Sequence, residues 1–222
     1  MLCKVLGESI TDYLTPRLYE PLGIDVPFWE HSPEGVEAGG WGLQLKTEDI
    51  AKLILCYQNK GRYNGVQVIP EWWTKEATSY ISDNSVSEKE RDASAGYGCG
   101  FWRCAGMPNT YRAEGMFCQY AISFADYNAC LVMTSEHSGL QETLDVIWKY
   151  MPDAFIQIDV CPSYDSTASS ILVNHLTYFS SLLFGPGLGG QYPNLIFILF
   201  PINYCSQSVC CVKCCSPIAC PN

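Results

Sequence analysis

A nucleophilic serine is the first chemistry to look for, because a Ser with a Lys one helical turn later can be activated to attack a carbonyl carbon. None of the 222 residues forms such a pair, since no Ser or Thr has Lys three positions later. Ser9 has Asp12 at that spacing, and Ser138 has Gln141. No Gly-x-Ser-x-Gly segment replaces the pair. The sequence therefore contains no recognisable serine nucleophile.

Two Tyr-x-Asn triplets would offer a second acid–base group, but neither stands in a setting that favours catalysis. In Tyr57-Gln58-Asn59, the Tyr continues the apolar face of a predicted helix and the Asn begins a turn. This position favours a core tyrosine and a turn asparagine. The other triplet, Tyr192-Pro193-Asn194, lies in a C-terminal tail of unusual composition.

Metal-binding patterns are equally weak. His31, His137 and His175 are far apart, and no His-Glu-x-x-His or similar spacing joins them. His137 stands between a predicted strand and a predicted helix, which favours a capping role at the surface. The pairs Cys210-Cys211 and Cys214-Cys215 contain a Cys-x-x-Cys spacing without a second one to complete a site. We expect no metal and no cofactor.

Amphipathic helices are predicted at three places in the first 156 residues. Apolar residues recur at helical spacing from Ile10 to Leu22, with Pro16 inside the run and Gly23 after it. Thr47 is predicted to be the N-cap of a second helix, whose first turn is acidic. An apolar stripe from Leu140 to Met151 predicts a closing helix.

Strand patterns fill the region before the closing helix. These short runs are aromatic or β-branched and are separated by turn signals. They are Tyr97–Cys104, Thr110–Ala113, Gln119–Phe124 and Ala129–Ser135. Asp126-Tyr127-Asn128 is predicted to make the tight turn between the last two. Helices, then a meander, then a covering helix predict an α+β fold, with an antiparallel sheet flanked by helices.

Composition narrows the classes of function. Lys and Arg number 13 against 23 Asp and Glu, so the net charge of −10 disfavours a nucleic-acid partner. Hydrophobic residues make up 48% of the chain, which indicates a globular protein. The first residues lack the apolar core of a secretory signal, and no run approaches the length of a membrane span. We therefore expect a cytoplasmic protein.

The tail, residues 157–222, differs from the domain predicted for residues 1–156. It contains three charged side chains, Asp159, Asp165 and Lys213, and its last 18 residues hold six of the 13 cysteines. The prediction is an irregular, low-charge, Cys-rich tail of uncertain order. Its composition is typical of a shifted reading frame or run-on translation, and a family-specific extension is the alternative.

Three segments resemble the serine β-lactamase-like family, which includes class C β-lactamases, penicillin-binding proteins and related esterases. They are Pro16–Ile24, Gly39–Leu53 with its continuation to Trp73, and Tyr111–Phe124 with the strand that follows. The middle segment is the most specific, with Gly-Gly-Trp-Gly, an apolar pair and a Thr-initiated acidic helix start. Together the segments cover about residues 5–152. The resemblance implies the C-terminal portion of this fold.

In chemical terms, the resemblance implies amide or ester hydrolysis through an acyl-serine intermediate. The family uses an S-x-x-K nucleophile, a Y-x-N element and a K-x-G or H-x-G edge strand. Matching that strand puts Ala113-Glu114-Gly115 at the third motif, with the Met116 N–H as an oxyanion donor. Ala113 stands where the family has the Lys or His of this motif, so the electrostatic attraction for a substrate carboxylate is expected to be weaker. The first two motifs are expected upstream of Met1, so this chain is expected to be inactive.

Two functions stay open at this point. The chain is either an inactive fragment of a serine hydrolase, whose full-length relatives take small-molecule or peptide substrates, or a non-catalytic binding or scaffold protein that reuses the fold. Loss of N-terminal strands predicts an exposed sheet edge and low solubility. The sequence does not indicate an oligomeric state.

Overall fold

The computed structural model describes residues 2–84, 90–159 and 198–199. Helices and two antiparallel sheets form an α+β fold, as predicted. The helices are α1 (Leu2–Leu6), α2 (Ile10–Leu14), α3 (Glu20–Leu22), α4 (Thr47–Gln58), α5 (Glu71–Ala77) and α6 (Leu140–Asp159). The strands are β1 (Arg62–Tyr63), β2 (Val66–Gln67), β3 (Trp102–Arg103), β4 (Thr110–Gly115), β5 (Gln119–Phe124), β6 (Ala129–Met133) and β7 (Ile198–Leu199).

The first predicted helix is confirmed, with the interruption that its proline implies. A π-helical turn over Thr15–Tyr19 joins α2 to α3, because Pro16 has no N–H to continue the α-helical ladder. The run ends at Gly23, whose left-handed backbone (φ +61°) caps α3. A carboxylate from another segment satisfies the start of α2, since the Thr11 N–H donates to Glu37 Oε1 at 3.1 Å.

The helix α4 begins one residue earlier than predicted. Lys46 is the N-cap, so Thr47 is the first helical residue rather than the cap itself. Its hydroxyl lies 3.3 Å from that of Thr134, just past the end of β6. Glu48 and Asp49 place negative charge in the first turn, as predicted.

The main sheet has the strand order β3-β4-β5-β6-β7 and is antiparallel throughout. The predicted strands at Gln119–Phe124 and Ala129–Ser135 are present, the second ending at Met133. The predicted strand Tyr97–Cys104 is wrong over most of its length. Only Trp102–Arg103 pairs with β4, because the chain folds back on itself so that Tyr97 forms isolated bridges with Ser82 and Trp102.

Helices cover both faces of the sheet, and strand alternation divides its side chains between them. On one face, Ala51 and Ile54 of α4 share a buried cluster with Ala121 of β5 and Val132 of β6. On the other face, α6 packs on a second cluster. Its members include Ile122, Leu131, Met133, Leu144, Ile147 and Met151. The predicted meander backed by a closing helix is therefore confirmed.

The helix α6 extends beyond both its predicted end at Met151 and the predicted domain boundary at 156. Phe155 stays buried and stacks on Tyr127 at 4.2 Å between ring centroids. Among the described helices, none combines the length and the apolar character that crossing a membrane requires.

Candidate functional site

The candidate site is the second half of β4, Ala113–Gly115, which has no pairing with β3. Its partner β3 pairs only with Tyr111 and Arg112, because β3 begins at Trp102, directly opposite Arg112. On the other side, β4 pairs with β5 along its whole length, ending at the pair Gly115–Gln119. The stretch 113–115 thus has a strand partner on one side only among the described residues. The main-chain groups on its outer side are the ones that a ligand could bind.

Neighbouring side chains in this stretch point to opposite faces of the sheet. Ala113 packs against the buried cluster beneath α4. Glu114 pairs across the sheet with Tyr120, which belongs to the cluster beneath α6. The predicted wall residues are therefore divided, with Ala113 and Gly115 on the α4 face and the Glu114 side chain on the α6 face. Residues 113–115 therefore place no charged side chain on the α4 face.

Gly115 fits closely against its cross-strand partner. A Cβ placed on Gly115 would lie 3.2 Å from Gln119 Cβ, which is tighter than ordinary van der Waals contact. The Gln119 side chain is itself held, because its Nε2 donates to Ser135 O at 2.6 Å. A glycine at position 115 therefore lets β4 approach β5 closely at this end of the hairpin.

The turn that joins β4 to β5, residues 116–118, carries backbone strain. Phe117 and Cys118 have φ values of +64° and +63°, in the left-handed region that non-glycine residues rarely adopt. Met116 and Phe117 are exposed at 76% and 50%, although both are large and apolar. Strained backbone of this kind is concentrated at functional sites, which makes this turn part of the candidate site.

Cys118 anchors the strained turn to the start of α6. Its Sγ lies 3.3 Å from both His137 O and Thr143 Oγ1, and the side chain is fully buried. The His137 N–H also donates to Phe117 O at 3.3 Å. At the same time, His137 Nδ1 accepts from the Gly139 N–H at 3.1 Å, next to the first residue of α6. These bonds agree with the predicted capping role for His137.

A buried charged network supports β4 from the α6 face. The Arg112 side chain is 1% exposed, and its Nε donates to Glu114 Oε2 at 2.7 Å. Its Nη1 donates to Arg103 O at 2.8 Å, which ties β3 to β4. Arg112 also lies over the Trp102 ring, at 5.6 Å from the centroid. Arg112 therefore links Glu114 of β4 to the backbone of β3.

Asp92 is the fully buried acid of this network. Its carboxylate accepts from Gln141 Nε2 at 2.8 Å, Trp148 Nε1 at 2.9 Å and the Ala105 N–H at 2.8 Å. Burial alone would raise the pKa of Asp92, but these hydrogen bonds outweigh it and hold the pKa below its ordinary value. Asp92 stays ionised and joins the segment before β3 to α6.

The Gly39–Leu53 segment enters α4 at the same end of the sheet as Gly115. Thr47 contacts Thr134 just past Met133, and Met133 pairs with Tyr120 at the start of β5. Gly115 pairs with the residue before Tyr120. Trp41, in the loop before α4, is 71% exposed, and its carbonyl accepts from Trp29 Nε1 at 3.0 Å.

The remaining predicted candidates have structural roles or lie outside the described residues. Tyr57 contacts the Phe101 ring at 4.6 Å between centroids, and Asn59 caps the end of α4, as the sequence favoured. His31 forms an isolated bridge with Glu37. No group of three metal-ligating side chains occurs in the described part of the chain. His175, the Tyr192–Asn194 triplet and the tail cysteines are not among the described residues.

Sequence reasoning missed the network of Asp92, Arg112 and Glu114 and the anchoring of Cys118. The alternation of β4 contained a usable signal, because Arg112 and Glu114 share one face of a strand whose other face is apolar. Nothing near Asp92 in the sequence identifies Trp148 as its partner. No protein-family model matches the chain, and no curated protein matches it.

Proposed function

We propose that residues 1–156 form the sheet, the covering helices and one cleft wall of a β-lactamase-like serine hydrolase domain. In this proposal, the wall is the outer edge of β4 at Ala113–Gly115, together with the Met116 N–H. The chain contains no S-x-x-K pair. A protein made of these residues alone therefore binds at this wall but forms no acyl-enzyme.

The observation that carries the proposal is the position of Ala113–Gly115. This stretch extends past the end of β3 on the edge of the sheet. It lies at the same sheet end as the start of α4, into which the most family-like segment leads. An exposed strand edge offers main-chain donors and acceptors to an extended ligand, and a main-chain N–H can stabilise a developing oxyanion.

The order of the elements gives further support. Pro16–Ile24 forms a helical segment that ends at a left-handed glycine, and Gly39–Leu53 leads into an acidic helix start. Tyr111–Phe124 forms an edge strand, a strained turn and the next strand. These are the three segments that resemble the family.

The test combines labelling and binding. The purified chain is incubated with a fluorescent penicillin and with nitrocefin, and amide shifts are followed by NMR during titration with benzylpenicillin. We expect no covalent label and no turnover, together with amide shifts confined to residues 113–116 and their neighbours in β5. Labelling at a single Ser would show that the chain does contain a nucleophile, and shifts elsewhere would contradict the wall.

A non-catalytic binding or scaffold protein that reuses the fold is the second candidate, and the exposed apolar turn favours it. Met116 and Phe117 are exposed beside the stretch 113–115, which has no strand partner on its outer side within the described part of the chain, and this combination suits an extended apolar peptide. If peptides with alternating apolar residues shift the 113–116 amides while benzylpenicillin does not, this second function replaces the first.

A further inference from the structure

The strand β6 is buried in a way that is typical of a central strand. All five residues, Ala129–Met133, are buried, so both faces of the strand are covered. The α4 face receives Cys130 and Val132, and the α6 face receives Ala129, Leu131 and Met133. On one side the strand pairs with β5 over its full length. Its other side therefore presents a strand edge between two covered apolar faces.

A short strand from the tail occupies this edge. Leu131 pairs with Leu199 and Val132 with Ile198, both in antiparallel register. Sequence reasoning predicted an exposed sheet edge, whereas β7 pairs with β6 along this edge. Beyond Asp159, the predicted irregular tail lies outside the described residues except for Ile198 and Leu199. The pairing joins residues far apart in the chain, since α6 ends at Asp159 and β7 begins at Ile198.

The tail sequence around β7 suits this position. Leu195–Phe200 is a run of six apolar residues without a charge, Pro or Gly. A strand with both faces buried reads as such a continuous apolar run, whereas a half-exposed strand alternates. Pro193 and Pro201 flank the run and limit the length of any strand formed there.

We propose that the outer edge of β6 is a strand-binding site whose occupant is the tail strand Ile198–Leu199 of the same chain. This occupancy prevents the edge from pairing with a second copy. The reason is that an unpaired edge on a flat apolar strand pairs with other chains. The tail thus acts as a strand cover for the sheet. This inference is independent of the proposed kinship with serine hydrolases.

The test compares three full-length chains: the wild type, Ile198→Pro/Leu199→Pro, and Ser180→Pro as a matched control with a proline outside β7. Hydrogen exchange is measured by mass spectrometry on the peptide that covers 129–133, at low protein concentration. Antiparallel pairing directs part of the β6 amides away from β5. We expect these amides to exchange about tenfold faster or more in the double variant and unchanged in the control.

A rescue measurement separates loss of the cover from general misfolding. A synthetic peptide of residues 194–201 is added to the double variant, and a peptide of the same composition in scrambled order serves as its control. We expect the first peptide to restore protection of 129–133 and to suppress concentration-dependent self-association. Unchanged protection in the double variant overturns the proposal, and so does loss of protection that neither peptide restores.

Discussion

Asp92 and Asp145 have two partners in common, Arg91 and Gln141, but they differ in exposure. The Asp92 side chain is 0% exposed and that of Asp145 is 54% exposed. Asp92→Ala leaves the Trp148 N–H without its acceptor and Arg112 without a nearby buried anion. We expect it to lower the free energy of unfolding by about 3–5 kcal/mol, and Asp145→Ala by less than about 1 kcal/mol. Urea unfolding measures both, and equal losses would contradict the assigned network.

Glu37 makes the stability of the N-terminal helices depend on pH. Burial alone would raise its pKa, but hydrogen bonds from the backbone of Thr11, of Glu37 itself and of Ile10 lower the pKa to about 2, below its ordinary value of 4.5. A carboxyl group with a lowered pKa stabilises the fold above its ordinary pKa and loses that effect as the pH falls towards the folded value. We therefore expect part of the stability to be lost between about pH 4.5 and 2.

The comparison for this prediction is between Glu37→Gln and Glu20→Gln, which changes an exposed carboxylate. Thermal melts across the acidic range measure the effect. The Glu37 variant should be less stable at neutral pH and should lose less on acidification than the wild type. The Glu20 variant should follow the wild-type curve. Parallel curves for all three proteins would show that Glu37 does not carry this dependence.

Substitution of Gly23 tests whether the end of α3 requires a residue that readily adopts the left-handed conformation. Its φ is +61° and a Cβ there would meet nothing within 4 Å, so Gly23→Ala adds backbone strain without a clash. We expect a loss of about 1 kcal/mol in the free energy of unfolding. Gly39 is the control, because it also has open space but no positive φ. Gly39→Ala should be neutral or slightly stabilising, and a larger loss there would contradict the explanation.

At the scale of elements, the spacing of apolar residues predicted the helices and strands whose bounds depend on that spacing. The strand Gln119–Phe124 and the start of α6 at Leu140 have the predicted bounds, because their apolar residues face extended buried surfaces. The strained turn at Phe117 and Cys118 was not predictable, since sequence rules assign left-handed backbone to Gly and Asn. What stabilises it is Cys118, buried through contacts with residues about 20 positions later.

The candidate site was also predictable only in part, because some of its geometry depends on contacts between residues far apart in the sequence. The segment 113–116 was found from its likeness to an edge strand, and its strand geometry follows from local pattern. Whether this segment lacks a partner on one side depends on where β3 begins, and the predicted strand Tyr97–Cys104 began too early. The buried network beneath this segment includes the hydrogen bond between Asp92 and Trp148, which lie 56 positions apart in the sequence.

At the scale of the whole molecule, we propose that the outer edge of β4 is a substrate wall from which the cation is missing. A restored cation therefore provides the test. Ala113→Lys places an ammonium group at the wall, and Ala125→Lys places one on the exposed turn at the opposite end of β5. Both variants add the same charge to a chain of net charge −10.

The decisive measurement is the affinity of benzylpenicillin and of its methyl ester for the wild type and both variants, by NMR titration of the 113–116 amides. An exposed ion pair contributes up to about 1 kcal/mol, so we expect Ala113→Lys to bind the free acid about two- to fivefold more tightly. The methyl ester should gain nothing, and Ala125→Lys should behave like the wild type. Equal gains in the two variants, or no response at residues 113–116, would show that the outer edge of β4 is not a substrate wall.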